Sequence, residues 1–295
     1  MQSEVLAKLY RSLIVQSKDN ELIQTLYQWD VLTAEPGGVD YIETLAGQPP
    51  ALWAIPRDCD QSSVLFCIHG GGYITGSMYS HRKLYSHIAK AMGMCALIVD
   101  YRLLPEGIHP GPLNDVFNAY RWLLDQGIDP RRVVFTGDSA GGGLAITTQL
   151  RAREQGLPMA AATMPLSPWV DMQVVGESMQ SNSAKDALFN KAWVKELAAN
   201  FLGGADPTGP EVNPLFADLN GFGPMYIQVG DHELLLDDSR RLAHHAQDCG
   251  VEVLLDVFPG QQHTFQMMAG RASEADDAIH RLAAWGRAKL RAIPQ

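Results

Sequence analysis

The segment Gly137-Asp138-Ser139-Ala140-Gly141 fits the pattern G-x-S-x-G. In this pattern a serine occupies a sharp turn between a strand and a helix, where its hydroxyl is exposed and can attack a carbonyl carbon. The apolar run 132–135 before the turn and the helix-forming stretch 142–154 after it provide the strand and the helix that the pattern requires. We therefore predict that Ser139 is a nucleophile.

A second glycine-rich segment, His69-Gly70-Gly71-Gly72-Tyr73, directly follows the apolar run 64–68. Acyl transfer needs backbone N–H groups that point at the oxyanion of a tetrahedral intermediate, and glycine lets the substrate oxygen come close to them. We expect the N–H groups of Gly71, Gly72 and Ala140 to form this oxyanion hole.

The general base must come from among nine histidines. His263 follows the last predicted strand in a loop, and it comes last in the chain order of serine, acid and histidine that this arrangement uses. Five others lie in predicted helices, where a solvated or partly packed imidazole is the usual role: His81, His87, His244, His245 and His280.

Two carboxylates compete for the role of the acid that orients the histidine. Asp231 and Glu233 both lie just past the end of an apolar run, and the residues alone leave the choice between them open. Asp237 and Asp238 follow a turn later, where carboxylates commonly cap a helix N-terminus and interact with its dipole.

The elements that must position these groups follow from the hydrophobic pattern. Short apolar runs without polar alternation separate helical segments from residue 64 onward, which is typical of a mostly parallel sheet covered by helices. Two helices are predicted before residue 30, the second through Leu22, Leu26 and Trp29, and a hairpin-like pair of strands over 39–55. Predicted strands lie at 64–68, 95–99, 132–135, 161–166, 225–229 and 251–258, and predicted helices at 114–127, 191–204, 239–250 and 273–290.

One stretch without a predicted strand, residues 171–214, interrupts this alternation. We interpret it as an insertion that packs with the N-terminal helices above the sheet. The predicted organisation is an N-terminal helical cap segment (1–38), a catalytic domain (39–170 and 215–295) and a cap insertion (171–214).

Taken together, the chain resembles the hormone-sensitive-lipase-like (bacterial family IV) branch of the α/β-hydrolases over roughly residues 60–290. The motifs that carry the resemblance occur in the family's order: HGGGY (69–73), DYRLLPE (100–106), GDSAGGGLA (137–145), LSPWVD (166–171) and HTF (263–265). The resemblance implies an α/β-hydrolase fold with a small helical cap. It also implies a serine carboxylic ester hydrolase that forms an acyl-enzyme and needs no metal and no cofactor.

The family pattern D-P-L-x-D-E, laid on this chain without a gap, puts the acid on Glu233. This is a departure, because the family normally has aspartate there. Either carboxylate can hold an imidazole tautomer and stabilise the imidazolium. Asp231 remains the reserve candidate.

Two other functions use the same fold. A lactone hydrolase would apply the same residues to a cyclic ester. A non-catalytic small-molecule receptor, similar to the plant gibberellin receptors, would lack the catalytic histidine, whereas His263 is present. A zinc site of the H-E-x-x-H type is excluded because Leu236 occupies the second histidine position.

Aromatic residues near the predicted cap are candidates for an apolar substrate pocket. They are Trp29, Tyr73, Phe189 and Trp193. The small cap favours short to medium acyl chains.

Composition limits the partners. The formal net charge of −10 over 295 residues argues against nucleic acid or an anionic membrane surface. No secretory signal or membrane-spanning run is visible, so we expect a cytoplasmic protein. The last predicted strand, 251–258, is expected to be a sheet edge that can pair across a homodimer. Free thiols are expected for Cys59, Cys67, Cys95 and Cys249.

Overall fold

The computed structural model describes residues 2–17 and 29–291, and within them it contains an eight-stranded sheet. The strand order is β1-β2-β4-β3-β5-β6-β7-β8. β2 pairs antiparallel with β1 and β4, and all other pairs are parallel. The predicted mostly parallel sheet is therefore confirmed. The strands are β1 (Val39–Leu45), β2 (Pro50–Pro56), β3 (Asp60–Ile68), β4 (Met94–Val99), β5 (Val133–Asp138), β6 (Ala162–Leu166), β7 (Met225–Gly230) and β8 (Val253–Phe258).

Every connection between consecutive strands from β3 to β8 contains a helix, as the hydrophobic pattern predicts. The second predicted N-terminal helix, with Leu22 and Leu26, lies mostly outside the described residues. The segment 171–214 contains helices and no strand. The α-helices with both ends in the described part of the chain are α1 (Gln2–Ser17), α2 (Met78–Met92), α3 (Gly111–Asp125), α4 (Ala140–Glu154), α5 (Ser178–Ser181), α6 (Lys191–Leu202), α7 (Leu236–Asp248) and α8 (Ser273–Arg291).

Residues 64–68 of the central strand β3 are buried on both faces, which explains the continuous apolar sequence of this part of the strand. Because successive side chains of a strand point to opposite faces, Leu65 and Cys67 join one core cluster while Phe66 and Ile68 join another. The sheet thus separates two layers of packed side chains.

Helices on each face complete these layers. Leu84 of α2 and Leu282 of α8 pack in the first cluster, and Val116 of α3 and Leu144 of α4 pack in the second. Burying one such aliphatic side chain contributes about 1.5–3 kcal/mol. The two layers hold the sheet rigid, and the sheet fixes the loops at its ends.

Both edges of the sheet are as the sequence indicates. β1 and β2 form the predicted hairpin, closed by a hydrogen bond from the N–H of Ala46 to the carbonyl of Pro49 (2.9 Å). β8 forms the opposite edge, where Leu254 is 44% exposed.

The carboxyl ends of the parallel strands meet along one edge of the sheet. β3 leads into the glycine-rich segment after His69, and β5 leads into Ser139. β7 and β8 lead into the segments that hold Glu233 and His263. Ligands of open α/β sheets bind outside the carboxyl ends of the strands, where neighbouring connections leave in opposite directions.

Candidate active site

Ser139 occupies the turn between β5 and α4 in a conformation that side chains rarely adopt, with φ 53° and ψ −121°. Backbone strain of this kind costs about 1–3 kcal/mol and concentrates at functional sites. The space around the turn leaves no room for a side chain at either flanking glycine. A Cβ on Gly137 would lie 2.3 Å from the carbonyl oxygen of Gly141, and one on Gly141 would lie 2.0 Å from that of Ile68. The sharp turn therefore depends on both glycines.

His263 lies in the loop after β8 with its ring almost fully buried. Its Nδ1 is 3.2 Å from Oε1 of Glu233. The ring of Phe189 packs edge-on against the imidazole, with ring centroids 5.1 Å apart. The hydroxyl of Tyr10 donates to the backbone carbonyl of His263 (2.7 Å). These contacts fix both the backbone and the ring.

The charge around His263 determines its protonation. Burial lowers the pKa of the imidazole, but the carboxylate of Glu233, through its charge and its hydrogen bond, together with Asp186 and Asp138, outweighs burial and raises that pKa above its ordinary value. The imidazolium is thus stabilised at this position, as a group that must accept a proton requires.

Glu233 is fully buried and accepts hydrogen bonds at both carboxylate oxygens. Oε2 accepts from the hydroxyl of Ser167 (2.8 Å) and from the N–H of Gly230 (3.2 Å), while Oε1 faces His263. The structure therefore brings Glu233, and not Asp231, to the histidine.

Asp231 has a local role in its loop. Its side chain is 37% exposed, and Oδ1 accepts from the N–H of Gly260 (2.6 Å). Asp237 and Asp238 lie in the first turn of α7, but the N-cap position is Leu235. The expectation that these two aspartates cap their own helix is wrong, because their carboxylates accept from backbone N–H groups of residues 170, 171 and 178.

Two cavities meet at Ser139. The first is lined by Ser139, His263 and Gly71 together with Trp29 and Phe189. The second is lined by Ser139, Gly72, Trp169, Phe189, Val194, Leu197 and Leu235. The serine, the histidine and the glycine segment thus face shared space.

The three residues expected to supply the oxyanion donors lie near Ser139. Gly71 lines the first cavity and Gly72 the second, both with positive φ (111° and 61°). The carbonyl of Gly71 accepts from the N–H groups of Ile74 and Thr75, which fixes the segment (both 3.1 Å). Ala140 is the first residue of α4, and the N–H at that position has no acceptor within its own helix.

The aromatic candidates divide into two groups. Phe189 lines both cavities, and Trp193 packs against it with ring centroids 5.3 Å apart. Trp29 lines the first cavity. Tyr73, however, is buried and stacked on Phe201 at 3.7 Å, so its ring packs in the core.

The sequence motifs do not indicate the partners of Asp138, the residue before Ser139. Its Oδ1 accepts from the hydroxyl of Tyr85 (2.6 Å) and from the N–H of Gly70 (3.0 Å), and its Oδ2 lies 3.4 Å from Nε2 of His81. Burial alone would raise the pKa of Asp138, but His81, Tyr85 and His69 outweigh burial and hold that pKa below its ordinary value. A buried anion therefore lies directly beside Ser139.

The expectation that His81 is a solvated or partly packed helix residue is wrong. His81 is 2% exposed, it lines the first cavity, and its Nδ1 is 2.8 Å from the hydroxyl of Ser80. An acidic residue at the buried end of a strand needs a partner, and this was the available signal. His81 and Tyr85 lie four residues apart on α2, so one helix face supplies both partners.

Within residues 2–17 and 29–291, no helix combines the length and the hydrophobicity needed to cross a bilayer. The same part of the chain contains no group of three or more His, Cys, Asp or Glu side chains arranged to hold a metal ion.

The family, the relatives and the solved structure found by comparison with known proteins agree with one another. Residues 65–267 match the α/β-hydrolase fold family. An acetyl-hydrolase from Streptomyces hygroscopicus is 38% identical over 79% of this chain and 77% of its own length. An esterase from Acinetobacter venetianus is 34% identical over 76% and 75%, respectively. The crystal structure of an esterase from the bacterial hormone-sensitive lipase family superimposes with a TM-score of 0.93 at 36% identity, covering 98% of both chains.

Proposed function

Because the chain belongs to the α/β-hydrolase fold family, in its branch of bacterial hormone-sensitive-lipase-like esterases, and is a carboxylic ester hydrolase, we propose that it cleaves short- to medium-chain esters through an acyl-enzyme on Ser139. In this proposal His263 is the general base and Glu233 the acid that orients it. Gly71, Gly72 and Ala140 supply the oxyanion hole.

The observation that carries the proposal is the position of His263. Its Nδ1 lies 3.2 Å from a fully buried carboxylate, and the same imidazole lines a cavity with Ser139. One ring nitrogen is thus committed to Glu233, which leaves Nε2 for the serine hydroxyl. This division of the two nitrogens is what a nucleophile and its base require.

The reaction follows in two halves. Ser139 Oγ attacks the ester carbonyl while His263 Nε2 accepts its proton, and the backbone N–H groups stabilise the oxyanion. The imidazolium, stabilised by Glu233, then gives the proton to the leaving alcohol. In the second half, water attacks the acyl-enzyme, His263 again acts as base, and the acid is released.

The second cavity supports a limit on the acyl chain. Its lining is apolar apart from the serine. A Cβ on Gly72 would lie 3.1 Å from Cδ1 of Leu197, which shows how closely α6 approaches the glycine segment. We propose that this cavity receives the acyl group, so that Leu197 limits its length.

A cap built from two parts of the chain is proposed to cover the site. The hydroxyl of Tyr10 donates to the carbonyl of His263, and the side-chain amide of Asn182 donates to that of Glu233 (2.9 Å). Both cap segments therefore contact the residues proposed for catalysis. In this division, 1–38 and 171–214 form the cap, and 39–170 with 215–295 form the catalytic domain.

The test is hydrolysis of p-nitrophenyl acetate together with covalent labelling by a fluorophosphonate. We expect one label per chain at Ser139 in the wild type, and neither label nor turnover in Ser139→Ala. Ser183→Ala is the matched control, since this exposed serine bonds only locally to Gln180. Undiminished hydrolysis by Ser139→Ala would refute the proposed nucleophile. A panel of acyl-chain lengths with one lactone then identifies the preferred ester.

A further inference from the structure

Two cysteines that are distant in sequence lie in contact at the amino ends of β3 and β4, at the opposite end of these strands from the active site. Cys59 lies in the turn between β2 and β3, and Cys95 is the second residue of β4. Their Sγ atoms are 3.1 Å apart. Bonded sulfurs are about 2.05 Å apart, so a movement of about 1 Å separates this contact from a disulfide.

The backbone around the two thiols is fixed by the sheet. The N–H of Asp60 donates to the carbonyl of Gly93 (2.8 Å), and Asp60 pairs with Met94 in the register of β3 and β4. The N–H of Cys59 donates to Pro56 across the turn (3.3 Å). The contact between the thiols therefore results from strand pairing.

The two thiols differ in access. Cys95 is 4% exposed, whereas Cys59 is partly exposed. Burial, the hydrogen bond and charge of Cys59, and the carboxylate of Asp60 raise the pKa of Cys95 to about 12. The thiolate is the attacking form of a cysteine, and the raised pKa of Cys95 disfavours its thiolate. Cys59 is also the thiol that a reagent can reach from solvent. Cys59 therefore reacts first and Cys95 second.

We propose that Cys59 and Cys95 form a reversible disulfide by exchange with a low-molecular-weight disulfide such as glutathione disulfide. Deprotonated Cys59 attacks one sulfur of the reagent, which forms a mixed disulfide and releases one glutathione, protonated by solvent. Cys95 then loses its proton and attacks Sγ of Cys59, which closes the protein disulfide and releases the second glutathione. Two protein thiols are oxidised and one glutathione disulfide is reduced.

The position of the pair determines what the disulfide changes. Cys95 lies at the amino end of β4, whereas Ser139 follows the carboxyl end of β5. Closing the loop between Cys59 and Cys95 restricts the unfolded chain, so the melting temperature is expected to rise by about 5 °C. Ester hydrolysis is expected to stay unchanged, because the pair lies at the opposite end of the strands from Ser139.

The experiment incubates the reduced protein with glutathione disulfide, traps free thiols by alkylation and counts them after denaturation. We expect the count to fall from the four cysteines of the chain to two, with a Cys59–Cys95 cross-linked peptide in the mass spectrum and a higher melting temperature. Dithiothreitol must reverse all three changes. Cys249→Ser is the matched control: its thiol count must fall from three to one, and the cross-link and the stabilisation must form as in the wild type. Cys59→Ser must lose both.

Either of two outcomes would overturn the proposal: four alkylated thiols after oxidation, or a stable glutathione adduct on Cys59 with Cys95 still free. Cys95→Ala provides a second variant, in which the adduct on Cys59 is expected to accumulate because no second thiol removes it. The readouts do not depend on ester hydrolysis, so the test is independent of the proposed catalytic residues.

Discussion

Replacing Glu233 by glutamine tests the assignment of the acid most directly. The amide keeps the shape of the side chain but removes the charge that stabilises the His263 imidazolium. It can also donate to Nδ1 and thereby favour the wrong tautomer. The equivalent amide substitution in a Ser-His-Asp protease lowers kcat about 10⁴-fold. Because Glu233 is fully buried at 3.2 Å from the imidazole, we expect a loss of roughly 10³–10⁴-fold, or about 4–5.5 kcal/mol of transition-state stabilisation.

Asp231→Asn is the matched control for this substitution. Oδ1 of Asp231 accepts from the N–H of Gly260, and the amide oxygen of asparagine can accept the same hydrogen bond. We expect kcat to change by no more than about twofold, as for other exposed substitutions. Steady-state hydrolysis of p-nitrophenyl acetate and thermal melting of both variants separate catalysis from folding. A larger loss in Asp231→Asn than in Glu233→Gln would refute the reasoning.

Three further results are expected from the same site. The acid limb of the kcat/KM profile should have its midpoint above about pH 6.5, because the base must be neutral and the pKa of His263 is raised; Glu233→Gln should move that midpoint to lower pH. His81→Leu should lower kcat about tenfold with little change in KM, because it removes a polar partner of the buried Asp138, while His81→Gln should retain most activity. Leu197→Ala should move the preferred p-nitrophenyl ester to longer acyl chains by enlarging the second cavity, at a stability cost of about 2–5 kcal/mol.

For each of these expectations, one specific outcome would contradict the reasoning. A midpoint at or below the ordinary imidazole pKa would contradict the charge balance described around His263. Equal losses in His81→Leu and His81→Gln would show that the donor to Asp138 is irrelevant. Leu202→Ala is the control for Leu197, since it also truncates a buried leucine of α6. The same shift in acyl preference in both variants would contradict the role given to Leu197.

The sequence predicts those parts of the fold that depend on local patterns. The turn at Ser139 is such a case, because its two glycines, the apolar strand and the following helix are adjacent in the chain. β3 begins at Asp60 rather than at residue 64, since pairing of Asp60 with β4 extends the strand into polar residues that carry no apolar signal. Strand length here is set by the partner strand.

Contacts between side chains that are distant in sequence depend on how helices and strands pack, so local patterns do not predict them. His81 and Asp138 meet only because α2 packs beside the end of β5, and no spacing in the chain records that contact. Cys59 and Cys95 meet for a similar reason, through the pairing of β3 and β4. The choice of Glu233 over Asp231 likewise needed the family pattern, because both follow β7 within three residues.

The alignment of the glycine segment with Ser139 follows from the register of two adjacent strands. β3 and β5 pair in parallel with Ile68 opposite Gly137, so the residues that leave both strands lie side by side. Asp138 then accepts from the N–H of Gly70, and a Cβ on Gly70 would lie 2.3 Å from Oδ2 of that carboxylate. Because a shift of one residue reverses the face of every side chain in a strand, the packing of both core layers resists such a shift. The hydrophobic core therefore also holds the proposed oxyanion donors in position beside Ser139.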